Sequence, residues 1–411
     1  MENCRRFQTG NIENTGNSMI LLLNTLLLIL AIPAILACTY LFVSTLLSGR
    51  LPLPPASSRK MRFDVIVPAH NEAAVIARTV TNLLRLAWPV DQFRVLVVAD
   101  NCTDTTANIA RGAGALVLER SNPEYRGKGY ALDFAFDASR RDAWAQAVVV
   151  IDADAEASSN LLEAFAARIE SGELAVQAHY GVLNPNDSWR TRLITIAKAA
   201  FHIVRSRARE RLRLSCGIRG NGWCVTHKLL HRVPYQAFSL TEDLEYGITL
   251  GLAGVRVAYA DEAHSDADMV SGEQVARNQR QRWESGRFDL IRTKTLPLLK
   301  AAFATPSAIC LDLALDLLVL PLSYVVLNVA ALTLVAAFAN RWHPAFQPWL
   351  SLGLLNIIFL CLYVLRGWQL SGIGPRGIAD LARAPFFLIW KILLLMRRKK
   401  TKEWVRTDRE S

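Results

Sequence analysis

Residues 19–47 contain no charged side chain, and this constrains the chain more than any other feature. In hydrocarbon every backbone N–H and C=O must be satisfied within its own segment, so a long uncharged apolar run reads as a spanning helix. About 20 such residues are enough. A cleavable leader has an apolar core of about 7–15 residues ending at a small-residue cut site, whereas here the run continues through Thr39-Tyr40-Leu41-Phe42-Val43. Residues 19–47 are therefore expected to be a transmembrane anchor behind a short tail, 1–18, with Pro33 placed to kink it. Apolar stretches within 311–339 and 349–366, joined by Arg341-Trp342-His343-Pro344, are expected to span as well. A fourth, Ala384 to Met396, is broken by Lys391 and backed by Arg383. Segment 376–411 thus reads as an interfacial helix followed by a basic tail.

The cations sit where a membrane protein keeps them. Arg50, Arg59, Lys60 and Arg62 follow the first apolar run, and Arg397 to Lys400 follow the last. By the positive-inside rule both flanks are cytoplasmic, which predicts a multi-pass protein of the inner (plasma) membrane with its central region in the cytoplasm. The net charge of +11 is thereby referred to membrane lipids and phosphate-rich ligands, and nucleic acid is excluded as a partner. Charged residues make up 20% and hydrophobic ones 52%, which excludes intrinsic disorder. Seven cysteines without a C-x-x-C pair imply neither a zinc site nor a disulfide framework. Asp312 and Asp316, at the start of the second run, are expected at the membrane interface. Five arginines between 205 and 213 follow the apolar Leu193, Ile194 and Ile196; they read either as an interface helix on lipid headgroups or as a solvated helix face.

Residues 60–300 have a different pattern. Strand-like runs at 62–68, 94–99, 115–118 and 147–151 alternate with helical patterns at 72–86, 103–111 and 128–140. Such alternation gives βαβ units, hence an α/β, Rossmann-like domain with helices on both faces of a parallel sheet. Ligands bind such sheets at the carboxyl ends of the strands, and three of those ends are acidic: Pro68-Ala69-His70-Asn71-Glu72, Asp100-Asn101-Cys102-Thr103-Asp104 and Asp152-Ala153-Asp154. Glu72 and Asp104 can each be read as a helix cap. Asp152 and Asp154, two residues apart in an extended segment, point the same way and suit a hard divalent cation, Mg²⁺ or Mn²⁺, shared with a phosphate. Gly127-Lys128-Gly129 opens a helix, where backbone amides and a lysine can meet an anion. It is not a G-x-x-x-x-G-K-[ST] loop, and no G-x-G-x-x-G accompanies it. Two further segments stand out: Thr241-Glu242-Asp243, and Gln279-Arg280-Gln281-Arg282-Trp283 with its phosphate-gripping and stacking groups.

Taken together and in this order, these motifs resemble the membrane-bound family 2 glycosyltransferases: the cellulose, hyaluronan, chitin-oligosaccharide and poly-N-acetylglucosamine synthases. The family pattern of D, D-x-D, T-E-D and Q-x-x-R-W is met by Asp100, Asp152–Asp154, Thr241–Asp243 and Gln279–Trp283, and the opening P-x-x-N-E by Pro68, Asn71 and Glu72. The likeness extends over roughly residues 20–407, to an ending like Trp404-Val405-Arg406-Thr407. It implies a GT-A fold, with one amino-terminal and about two carboxyl-terminal transmembrane helices plus interfacial helices. It also implies site roles. Glu72 and Asp100 would hold the uridine of a UDP-sugar, Lys128, Asp152 and Asp154 its diphosphate, and Asp154 with Asp152 the metal. Asp243, beside Glu242, would be the catalytic base, and Gln279, Arg282 and Trp283 would close over the diphosphate and acceptor. Gly220-Asn221-Gly222-Trp223-Cys224 falls where relatives approach the acceptor. One base and in-line displacement imply inversion, giving a β-linkage from UDP-glucose or UDP-N-acetylglucosamine. The acceptor is expected to be a growing polysaccharide or oligosaccharide; the alternative is a single addition to a lipid or lipid-linked acceptor.

Overall fold

The computed structural model describes the backbone of residues 2–269 and 273–383, and the side chains of 18–269 and 283–383. The chain divides into two compact units, residues 1–43 with 319–365, and 44–318 with 366–411.

The first unit holds the candidate spans. A helix Glu2–Leu47 runs unbroken through Pro33, and Ser18–Leu47, Leu322–Asn340 and Pro344–Ser371 are each long and apolar enough to cross a membrane. The apolar run at 311–339 is not one helix: it divides into Ala308–Leu318 and Leu322–Asn340, the second starting just after Pro321. Proline lacks the N–H that would continue the ladder, which favours a helix start at this point. Within this unit the helices are joined by polar contacts at defined heights. The Asn328 amide donates to the Leu30 carbonyl at 3.0 Å and the Trp349 indole to Asn24 Oδ1 at 2.8 Å, while Phe42 and Phe359 stack at 4.1 Å.

The second unit is a mixed α/β GT-A fold around an eight-stranded sheet. Its strands are β1 Phe63–Ala69, β2 Phe93–Asp100, β3 Leu116–Arg120, β4 Ala147–Val150, β5 Ala155–Ala157, β6 Ala175–Val182, β7 Trp223–Thr226 and β8 Ala258–Ala267. The spatial order is β3-β2-β1-β4-β7-β6-β8-β5. β1 to β4 are parallel; β7 runs antiparallel to both β4 and β6, and β5 antiparallel to β8. Period-2 alternation sorts the strand side chains between two cores. Phe63, Val65, Val67 and Val149 meet Ile76, Val80, Leu83 and Phe165 on one face. Ile66, Val98, Val148 and Val150 meet Leu132, Phe136, Tyr246 and Leu250 on the other. Burial on both faces explains why the parallel strands read as near-continuous apolar runs. The exception is Asp64, fully buried in β1; the Arg94 guanidinium answers it in a bidentate pair at 2.9 and 3.0 Å.

Arg211 and Arg213 of the basic row are exposed, but Arg205 and Arg209 are neither lipid-facing nor solvated. Arg205 and Arg209 are buried and converge on two equally buried aspartates of the helix Ala308–Leu318. Arg205 Nη1 lies 2.9 Å from Asp316 Oδ1, and Arg209 reaches Asp312 at 2.9 Å and Asp316 at 3.3 Å. Arg287 donates to the Asp316 and Leu317 carbonyls, capping the end of that helix where the backbone dipole favours a cation. Asp312 and Asp316, expected at a membrane interface, are therefore the buried counter-ions of this arginine cluster.

Removing one partner of a buried ion pair leaves a stranded charge. Asp316→Asn should cost about 3–5 kcal/mol, read as a clear fall in the unfolding midpoint; an unchanged midpoint would show the cluster to be dispensable.

Candidate functional site

The carboxyl ends of β1, β2 and β4 lie side by side, so their acidic termini form one cluster. Two asparagines make the first turns possible. Asn71, two residues after β1, and Asn101, directly after β2, both adopt positive φ, 57° and 49°, a conformation that asparagine tolerates better than most residues with a Cβ. Asn71 Oδ1 accepts the Thr103 N–H at 2.7 Å, the Glu72 N–H donates to Thr106 Oγ1 at 2.8 Å, and His70 Nδ1 donates to the Asp100 carbonyl at 2.7 Å. The two loops are thereby laced together. Cys102 joins them, its sulfur accepting the Asn71 N–H at 3.4 Å. Asp100 is buried, and its carboxylate is held by Arg120 at 2.6 Å and by the Asn101 amide at 3.0 Å.

Lys128, the first residue of the helix Lys128–Asp142, binds the next part. Its ammonium lies 2.6 Å from Asp152 Oδ1, 2.8 Å from the Gly220 carbonyl and 3.7 Å from Glu242 Oε1. Burial opposes its charge, but Asp152 and Glu242 outweigh that and hold the proton more firmly than on a free lysine. The Asp152 N–H in turn donates to Asn221 Oδ1 at 2.9 Å. Gln177 then fixes the Asn221 loop from behind, donating to the Asn221 carbonyl at 2.7 Å. Asp152 thus has a counter-charge on its carboxylate and an anchored backbone. Asp154 sits two residues on, at the turn into β5, within electrostatic reach of Arg78 and Lys198. Among the described residues no third His, Cys, Asp or Glu joins the pair closely enough for a protein-only metal cage. That donor set fits a hard ion taking its remaining ligands from phosphate and water.

Glu242 and Asp243 open the helix Glu242–Leu252. Gly220, at φ +77°, faces this turn: a Cβ there would stand 3.3 Å from Tyr180 Cε1 and 3.7 Å from Asp243 Oδ2. Glycine keeps the Tyr180 ring and the Asp243 carboxylate together without filling the space between them. The carboxyl pair is buried beside Lys128. Burial, opposed by Lys128 and reinforced by Asp243, pushes Glu242 up to about 7. Asp243 is raised as well, with burial as the chief cause, but the Leu244 and Gly220 N–H groups stabilise its ionised form. The two adjacent carboxyls titrate together, burial raising both and Lys128 opposing it.

Trp283 lies on the helix Glu273–Ala304 and is 40% exposed. One turn later Gly286 meets the acidic turn; a Cβ there would be 2.6 Å from Thr241 Cγ2. Gln279 and Arg282 belong to the same helix, but their side chains lie outside the described residues, as do residues 384–411 of the expected interfacial helix and basic tail. Sequence reading passed over Arg120, Gln177, Lys198 and Asp266. The first two act through contacts with Asp100 and the Asn221 loop, contacts that only the sheet order creates.

Glu242 also carries a pH signature. A carboxyl raised from 4.5 to about 7 on folding contributes stability that is fully present below the unfolded value and lost as pH rises through 7. Glu242→Gln should therefore gain thermal stability relative to the native chain at pH 8 compared with pH 5. A difference independent of pH would remove the proton from Glu242.

Residues 61–286, more than half of the chain, match the profile of the family described as Glycosyltransferase like family 2. A probable glycosyltransferase, YdaM, of Bacillus subtilis is 24% identical over 234 residues, 55% of this chain and 55% of that protein. A beta-monoglucosyldiacylglycerol synthase of Nostoc sp. is 27% identical over 232 residues, 55% of this chain and 48% of its own length. The chain thus matches about half the length of these relatives. Among solved structures, a mannosyltransferase of Pyrobaculum calidifontis in complex with GDP-Man and Mn²⁺ covers 84% of this chain and 98% of its own, at 20% identity and a TM-score of 0.49. The ordered acidic strand ends, the GT-A sheet that brings them together and the family match over residues 61–286 make this chain a family 2 glycosyltransferase.

Proposed function

We propose that the chain is an inverting transferase that moves a hexose from a UDP-sugar onto a hydroxyl of a lipid acceptor in the membrane. The observation that carries this reading is the Lys128 ammonium, which gathers Asp152, Gly220 and Glu242 around one point with Asp243 beside it. Such a group stands where a leaving diphosphate needs positive charge, with a base close by.

In this mechanism Glu72 and Asp100 hold the nucleoside. Asp154 with Asp152 would hold a Mg²⁺ or Mn²⁺ ion, which when bound supplies charge to offset the leaving diphosphate. Lys128 adds a fixed cation on the same side, at no reorganisation cost during transfer. Asp243 takes the proton of the acceptor hydroxyl as that oxygen attacks the anomeric carbon from the face opposite the diphosphate. A single displacement of this kind inverts the anomeric centre, and a double displacement would need a second carboxylate as nucleophile. Gln279, Arg282 and Trp283 would close over the diphosphate and acceptor end.

Two observations favour a lipid acceptor: three helices long and apolar enough to span, and a relative whose name specifies a glucosyl-diacylglycerol product. Extension of a polysaccharide is kept as a second reading on one observation, the Gln279-Arg280-Gln281-Arg282-Trp283 motif. A catalytic domain on the cytoplasmic side of the inner membrane, supported by the basic flanks, belongs to the same proposal.

The test is the full chain in lipid nanodiscs with Mn²⁺ or Mg²⁺ and labelled UDP-sugars, sizing the product. A single lipid-soluble adduct is expected; a ladder or high-mass product would move the assignment to polymer synthesis. Asp243→Asn should lower the transfer rate by about 10²–10⁴-fold while UDP binding is retained, and equal loss of both would overturn its role as base. Asp154→Ala should abolish metal-dependent UDP release, and full activity in that variant would remove Asp154 from the metal site.

A further inference from the structure

Two lysines stand inside the site, and only one has counter-ions of its own. Lys198 lies in the last turn of the helix Trp189–Ala199, just before a π-helical turn, Ala200–Val204; such insertions concentrate at functional sites. Its Nζ rests 3.4 Å from the centroid of the Tyr180 ring and donates to the Gly181 carbonyl at 3.1 Å. An ammonium has three N–H groups to place. Asp266, Asp154 and Asp152 act on it electrostatically, but none of them is within ion-pair distance of its ammonium. His264 Nδ1 lies 3.0 Å from Asp266 Oδ2 and the Lys128 ammonium 2.6 Å from Asp152, while Arg78 donates to the Asp154 backbone carbonyl at 3.2 Å. Among the described residues Lys198 forms no ion pair of its own. Burial therefore dominates and draws its pKa down to about 7, whereas the close carboxylates of Lys128 drive that residue the other way. A desolvated ammonium without a counter-ion is costly to keep, and in a site of this kind it marks a place for an anion.

The Tyr180 ring shows whose anion it is. One side of the ring carries the ammonium, and its Cε1 edge shares the Gly220 gap with Asp243 Oδ2. His202, from the π turn, packs edge-on against the same ring at 5.3 Å; burial holds it well below its ordinary pKa, so it is neutral and adds no charge. A group bound against this ring edge would therefore lie next to the Asp243 carboxylate. We propose that Lys198 is an acceptor-recognition residue and that the acceptor carries an anionic group, phosphate or carboxylate, beside its reacting hydroxyl. The inference rests on the reading of Asp243 as base and narrows the acceptor class.

The full chain in nanodiscs, with its working UDP-sugar, is compared on phosphatidylglycerol, which is anionic and has free hydroxyls, and on neutral diacylglycerol. A charge-assisted contact predicts a preference of about tenfold or more in kcat/KM for the anionic lipid. Lys198→Met should raise KM for phosphatidylglycerol by a similar factor and by much less for diacylglycerol, the loss falling on KM rather than kcat; Lys198→Arg should restore most of the loss. Equal use of the two lipids by the native chain, or equal loss on both in Lys198→Met, would overturn the proposal. A Lys198-dependent preference for a uronic-acid donor over a neutral hexose would place the anion on the donor and overturn the acceptor assignment. Donor hydrolysis separates this inference from the lipid-acceptor reading. Phosphatidylglycerol should change the hydrolysis rate of the native chain and not of Lys198→Met, whether or not the lipid is glycosylated, and an identical response in both would overturn the role of Lys198.

Discussion

The site is organised around the Lys128 ammonium. Its three close partners come from segments far apart in the chain: Asp152 from the turn between β4 and β5, Gly220 from the loop before β7, and Glu242 from the start of the following acidic helix. None of these would settle at its present distance without a cation between them, because three oxygens, two of them carboxylate, repel at this range. The same contacts explain the position of Asp243. Asp243 is not placed by its own bonds alone; it follows the turn that Lys128 draws inward and the two N–H groups that favour its charge. Local geometry, proton affinity and the chemistry of group transfer thus share one origin.

Much of this was legible in the sequence, for physical reasons that can be traced residue by residue. β1, β2 and β4 were readable because both faces of a parallel sheet are buried, and the alternation with helices was readable because the period changes from 2 to 3.6. The acidic strand ends followed from the rule that such sheets bind ligands at their carboxyl edge. The second half of the sheet was harder. β5 has three residues and β8 carries His264 and Asp266 among its apolar positions, so neither has the pattern of a buried strand. Arg120 and Gln177 could not be found from spacing, since their importance lies in contacts made across 20 and 44 positions of chain.

The arginines at 205 and 209 show the same limit in a sharper form. A run of basic residues after an apolar stretch suggests solvent or lipid headgroups, because burying such charge without partners is prohibitive. The partners are supplied a hundred residues later, by Asp312 and Asp316. Those aspartates were equally misleading on their own, since a carboxylate at the edge of an apolar run suggests a membrane interface. Each half of the cluster was anomalous in isolation, and the anomalies cancel once the two are brought together. A charged residue that fits poorly with its neighbours in sequence is, in a fold with long-range contacts, a hint that its complement lies elsewhere.

The contact between Gly286 and Thr241 has a mechanical meaning as well as a steric one. With less than the width of a methyl group between them, the long helix bearing Trp283 and the acidic turn bearing Glu242 and Asp243 cannot slide past each other freely. A displacement of either element would be passed to the other, because close-packed interiors transmit displacement rather than absorb it. The helix is in that sense a lever whose short arm ends beside the Glu242 and Asp243 carboxyls, and the missing side chain at 286 is what keeps the lever free of slack.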